Sequence, residues 1–138
     1  MSRLALLLLI GSVGTFVVGC STTPQDLEAK GAATAVTKAY AENYQAVYRR
    51  ISQTATRCRT ANAGPYASFN VDAELYSDLG FGEVTSSLIN WGVRNYYWKA
   101  KVEKTAAGST VTVHSGNTLF NAKARDQILR WADGDTAC

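Results

Sequence analysis

The chain has 138 residues, of which 46% are hydrophobic and 18% charged, with two prolines and a formal charge of +3. This ordinary globular balance excludes a disordered tail, a collagen-like repeat and a coiled-coil rod. The charge is too small for a dedicated nucleic-acid binder, which carries a clustered excess of Lys and Arg, so no nucleic-acid partner is expected.

Met1 to Cys20 opens with Arg3, runs apolar from Leu4 to Ile10 and on through Val13, Phe16, Val17 and Val18, and closes on Gly19-Cys20. An apolar stretch of roughly 20 residues could span a ~30 Å bilayer core. The basic start and the small-residue end instead fit a secretory signal. Val17-Val18-Gly19-Cys20 resembles the lipobox of bacterial lipoproteins, with an aliphatic residue three places before the cysteine and a small residue directly before it. The resemblance implies a signal peptide over 1–19, cut between Gly19 and Cys20. It also implies a diacylglyceryl group on the Cys20 thiol and a further fatty acyl chain, of the palmitate type, on the new amino group. One acyl chain gives only reversible attachment, so a stable anchor needs two or more. Ser21 stands where the family's inner-membrane retention signal places Asp, which implies the outer membrane, with the domain on its periplasmic face. The membrane is then a partner through the lipid. Removal of 19 residues leaves 119, the size of one domain.

Residues 20–35 are small and polar, with Pro24, Gly31 and Leu27 as the one large apolar side chain, and read as the lipidated N-terminus and a flexible tether. The periplasmic domain then covers 36–138. Val36, Tyr40, Tyr44, Val47, Tyr48, Ile51, Ala55 and Cys58 recur at helical spacing, predicting one amphipathic helix of about 22 residues capped by Thr34 or Thr37. Arg49, Arg50, Arg57 and Arg59 read as a solvated face matched to the helix dipole, with a binding patch for anionic lipid or glycan as the alternative.

Beyond Gly64-Pro65, Phe69, Val71, Ala73 and Leu75 alternate with Asn70, Asp72, Glu74 and Tyr76, which predicts a half-buried strand. A second strand follows over Glu83 to Trp91, after the turn residues Ser77 to Gly82. A third, about Arg94 to Lys104, sets Tyr96, Trp98, Ala100 and Val102 against Tyr97, Lys99, Lys101 and Glu103. A fourth, Thr110 to Ser115, turns Val111 and Val113 inward and Thr112 and His114 outward. Phe120, Ala124, Ile128 and Trp131 then predict a closing helix, ended by Asp133-Gly134-Asp135. The expected fold is α+β: a four-stranded antiparallel meander covered on one face by an N-terminal and a C-terminal helix.

Cys58 and Cys138 remain after lipidation, and two thiols in a small exported domain are expected to pair. Two cysteines and one distant histidine fall short of a zinc ligand set, so neither a metal nor another cofactor is expected. His114, the lone histidine, lacks an orienting partner in the pattern, and Ser86-Ser87 lie within a strand rather than a strained nucleophile turn. Asp72 and Glu74 read as cross-strand partners of Lys99 and Lys101. Tyr40, Tyr44, Tyr48, Trp98, Phe120 and Trp131 read as core. Tyr76 and Tyr97, with Lys99 and Lys101 beside them and Trp91 and Phe81 in the adjoining turns, form a candidate interaction surface.

These readings favour a non-catalytic outer-membrane lipoprotein with a structural, accessory or protein-interaction role, its partner an envelope protein or polymer. One alternative is a ligand-binding module for a lipid or other apolar molecule, for which 119 residues leave little room for a cavity of ~300 Å³. The other is an envelope hydrolase, which would need His114 beside a carboxylate in a polar cleft.

Overall fold

The computed structural model describes residues 21–116 and 119–138. Gly19 and Cys20, the expected cleavage and lipidation site, lie outside the described residues. Nine elements follow in order: α1 (Pro24–Gly31), β1 (Val36–Tyr40), α2 (Tyr44–Arg59), β2 (Ala61–Asn62), β3 (Ala67–Tyr76), β4 (Phe81–Asn90), β5 (Val93–Thr105), β6 (Gly108–Ser115) and α3 (Asn121–Ala132), with a short 3-10 turn over Ala32–Thr34. The fold is α+β, built on one antiparallel sheet of six strands in the order β1-β6-β5-β4-β3-β2. The four expected strands are its centre. Among the described residues no helix is long and apolar enough to cross a membrane.

Two expectations are corrected at the N-terminal side. The single helix expected from Val36 divides into β1, which pairs with β6 from Val36↔Val113 to Tyr40↔Ser109, and α2, which starts at Tyr44. The cap is Asn43, whose side chain accepts from the backbone N–H of Gln45 at 2.8 Å, rather than Thr34 or Thr37. Thr37 instead faces Thr112 across the sheet, with their hydroxyls 3.1 Å apart. The expected tether is folded as well. Thr23 caps α1 by accepting from the N–H of Asp26, Leu27 is fully buried, and Ser21 is buried with its carbonyl accepting from the N–H of Tyr96 at 2.9 Å.

Pairing divides the sheet into two faces. Val84, Ala100 and Val113 stand in register on one face, with Val102 and Val111 alongside, and all five are fully buried. The stripe Tyr44, Val47, Ile51 and Ala55 of α2 and the Ile128, Trp131 and Ala132 side chains of α3 close over them. Each Val or Ile so buried contributes about 1.5–3 kcal/mol relative to an exposed one. The opposite face is polar at Thr85, Ser87, Lys99, Lys101, Thr112 and His114. There α1 crosses β5 and β6. Helices therefore cover both faces rather than one.

The strict alternation expected in the third strand is broken by a bulge. Ser86 pairs with Trp98 but Ser87 pairs with Tyr96, which leaves Tyr97 as the extra residue. Tyr96 moves to the outer face with Ser87. Tyr97 joins Trp98 against the core instead of projecting with Lys99 and Lys101.

Candidate functional site

The bulge, the C-terminal end of α2 and the start of α3 together build a cleft of about 510 Å³ on the inner face. Its floor is Ser86, Tyr97 and Trp98, its walls are Phe69 of β3 and Phe120, Lys123, Ala124 and Gln127 at the head of α3, and Arg59 and Cys138 close it. Phe69 and Tyr97 meet with ring centres 6.2 Å apart, and Trp98 stands edge-on to Trp131 at 6.4 Å. β3 lies beside the central strand β4, and α2 packs on it where Val71 meets the core, but Phe69, near the start of β3, remains partly open.

Two cations line this largely aromatic cleft. The Arg59 guanidinium lies 6.0 Å from the centre of the Trp131 ring and donates to Oε1 of Gln127, whose Nε2 donates to the Cys138 carbonyl. Trp131 Nε1 donates to the Ala137 carbonyl at 2.8 Å. The C-terminal tail is thereby held beside the cleft. Cys58 and Cys138 stand at disulfide distance, with Cα atoms 5.3 Å apart, within the ~4.4–6.8 Å that such a bond requires. Apolar walls with a few fixed polar groups suit an amphipathic molecule whose acidic end meets Arg59 or Lys123.

The side chains expected to share an interaction surface are separated. Tyr97 lines the cleft on the inner face. Lys99, 4% exposed, lies on the other face under α1, with Nζ 2.8 Å from Glu28 and 2.8 Å from Glu83. Burial draws the Lys99 pKa down, but hydrogen bonds and charge from those two carboxylates outweigh it and the net shift is upward. Tyr76 and Lys101 do stay close, through Phe81: the Tyr76 and Phe81 ring centres are 4.7 Å apart, and Lys101 Nζ is 4.9 Å from the Phe81 ring. Asp72 and Glu74 do not pair with Lys99 and Lys101, because β4 intervenes between β3 and β5. Asp72 accepts from Arg94, Glu74 accepts from the Tyr76 hydroxyl, and Lys101 pairs with Glu103.

His114 is on the outer face opposite Lys99, with Nδ1 buried and without a hydrogen-bond partner among the described residues. It is separated from the cleft by the sheet. Ser86 borders the cleft and Ser87 is fully buried on the other side. Phe120, expected in the core, is exposed at the cleft mouth. Sequence reasoning missed Arg59, Phe69, Lys123 and Gln127 as neighbours; an adjacent Tyr96-Tyr97-Trp98 run that defies alternation is the one local hint.

No protein-family model, curated protein or solved structure matches the chain.

Proposed function

We propose that this is a lipid-anchored protein of the bacterial outer membrane whose domain works without catalysis, by holding a lipid or similar amphipathic acid in the cleft between α3 and the sheet. The observation that carries the reading is the cleft of about 510 Å³, lined by Phe69, Tyr97, Trp98 and Phe120 with Arg59 and Lys123 beside them. That volume lies within the ~300–1,000 Å³ range of small-molecule sites. The lipobox-like ending Val17-Val18-Gly19-Cys20 supports the anchor, and Ser21 supports sorting to the outer membrane. Contact with an envelope protein or polymer keeps less support, because the four side chains on which it rested occupy two faces of the sheet.

The ligand reading is tested by adding a photoactivatable long-chain fatty acid to isolated envelopes and mapping the labelled peptides. Labelling should fall on β5 and the head of α3, and Ala124→Trp, which fills the cleft, should remove it. Label spread evenly over the chain, or unchanged in Ala124→Trp, contradicts the proposal. The anchor is tested separately. Metabolic labelling with a fatty-acid analogue should be lost in Cys20→Ser, and density-gradient fractionation should place the wild type with outer-membrane markers.

A further inference from the structure

Among the described residues, five of the nine exposed large apolar side chains lie in segments at one end of the sheet. β5 begins there, β4 ends there, β3 begins there and β6 runs back toward it. Trp91 and Val93 are in or next to the β4–β5 turn, Tyr66 precedes β3, and Leu119 and Phe120 precede α3; all five are exposed. Tyr66 and Trp91 stack, with ring centres 4.3 Å apart.

Trp91 is the one described non-glycine residue with positive φ, at 51°, and Gly92 follows at 78°. A two-residue turn with both φ values positive favours Asn-Gly, because a bulky side chain is strained in the left-handed region. Yet a tryptophan stands here, 74% exposed. The ring stacks on Tyr66, itself exposed, so the pair presents an aromatic face to the outside rather than to the core.

The N-terminal end of the described residues lies close by. Ser21 is buried and held on Tyr96, three residues along β5 from Val93, about 10 Å at the strand rise. Cys20, the expected lipid site, is the residue directly before Ser21 in the sequence. With Ser21 fixed there is no tether to carry the domain away from an anchor on Cys20. We infer that the anchored domain rests on the bilayer, with the Tyr66, Trp91, Val93, Leu119 and Phe120 end seated in the headgroup region. Amphipathic rings favour that depth, and the exposed Lys123 near Phe120 suits lipid phosphates. This inference rests on the lipoprotein reading; it adds an orientation and a surface.

The test uses the full chain, purified from membranes and reconstituted into vesicles of phosphatidylethanolamine and phosphatidylglycerol brominated near the headgroup end of their acyl chains. Trp131 is buried and Trp98 is buried on the floor of the cleft, so Trp91 is the reporter open to the bilayer. Lipid quenching that persists in full in Trp91→Asn comes from the cleft and overturns the orientation. The wild type should lose part of its tryptophan fluorescence to brominated lipid. Trp91→Asn should lose that quenchable part while melting at the same or a higher temperature, since Asn tolerates the left-handed region. A labelled protein that floats with the vesicles but shows no quenching, with Trp91 open to acrylamide, overturns the orientation and leaves the anchor reading intact. Absence of both fatty-acid label and flotation overturns the anchor reading, and the orientation with it. Trp91 shielded from acrylamide but not quenched by the lipid assigns the end to protein contact and also overturns the inference.

Discussion

Lys99 shows how one side chain can be decided by a partner far away in the sequence. Alternation assigns it correctly to the polar face, but that face is covered here, and its ammonium survives burial because Glu28 comes down from α1 while Glu83 stands on the neighbouring strand. Removing the charge alone, as in Lys99→Met, strands two carboxylates. The expected loss is about 2–4 kcal/mol, on the low side for breaking a buried pair because both glutamates keep some water. Lys99→Met combined with Glu28→Leu and Glu83→Leu should recover much of it, and denaturant unfolding of the two variants measures the difference. The pH dependence has a definite sign. The folded-state pKa of Lys99 is raised, so its contribution is fully present below the ordinary lysine value of 10.5 and is lost as pH rises through the higher folded value. A neutral-to-alkaline series should therefore show the wild type and Lys99→Met converging only at high pH. The Lys38–Asp133 pair is the counterexample: with Nζ 2.6 Å from the carboxylate but both side chains open to water, it contributes no more than about 1 kcal/mol.

Among the elements, those that the sequence made legible are those whose neighbours are local. The four central strands, their turns and α3 follow from alternation, Gly/Asn turn chemistry and 3.6-residue spacing, and they agree with the expected bounds to within about two residues. β1 did not. Tyr40 and Tyr44 are four apart and both meet the core, but one does so from a strand and the other from a helix, so periodicity runs unbroken across a turn capped by Asn43. What holds β1 is β6, some 70 residues away, at a hairpin where Gly108 has φ 144° and a Cβ would lie 2.2 Å from the Tyr40 carbonyl oxygen. Gly108→Ala should accordingly destabilise by more than the ~1 kcal/mol typical of an average substitution, seen as a lower thermal midpoint. α1 escaped notice because only one large apolar residue marks it. Leu27 fits against Gly116, where an added Cβ would approach its Cδ1 to 2.9 Å. Leu27→Ala should weaken docking of α1 by about 2–3 kcal/mol, toward the lower end of the range for buried leucines, and hydrogen exchange over 21–31 should accelerate while β4 and β5 stay protected. Unchanged exchange there would contradict the docked helix.

For the whole molecule, the pairing of Cys58 with Cys138 was legible once Cys20 was set aside as the expected lipid site, but the cleft beside it was not, because it depends on where α3 and the β5 bulge come together. The cross-link closes a span of 80 residues, from the end of α2 to the last residue of the chain. In the chain-entropy view a loop of that size is worth about 4 kcal/mol through restriction of the unfolded state, with smaller values common in practice. The native contacts of the tail, Trp131 to Ala137 and Gln127 to Cys138, depend on its staying in place. Cys138→Ser should therefore cost about 2–4 kcal/mol while the sheet still forms, since the buried valines and the α2 and α3 stripes are untouched. Cys58→Ser and the double variant should cost the same amount, because either single change removes the whole bond and the effects cannot add. The denaturant slope should rise in all three, as an unfolded chain without the link exposes more surface. Photolabelling of the cleft carries the decisive contrast: if the tail is one of its walls, the fatty-acid label on β5 should fall in Cys138→Ser under conditions where circular dichroism shows the sheet intact. Equal labelling in the two proteins would mean that the cleft stands without its C-terminal wall.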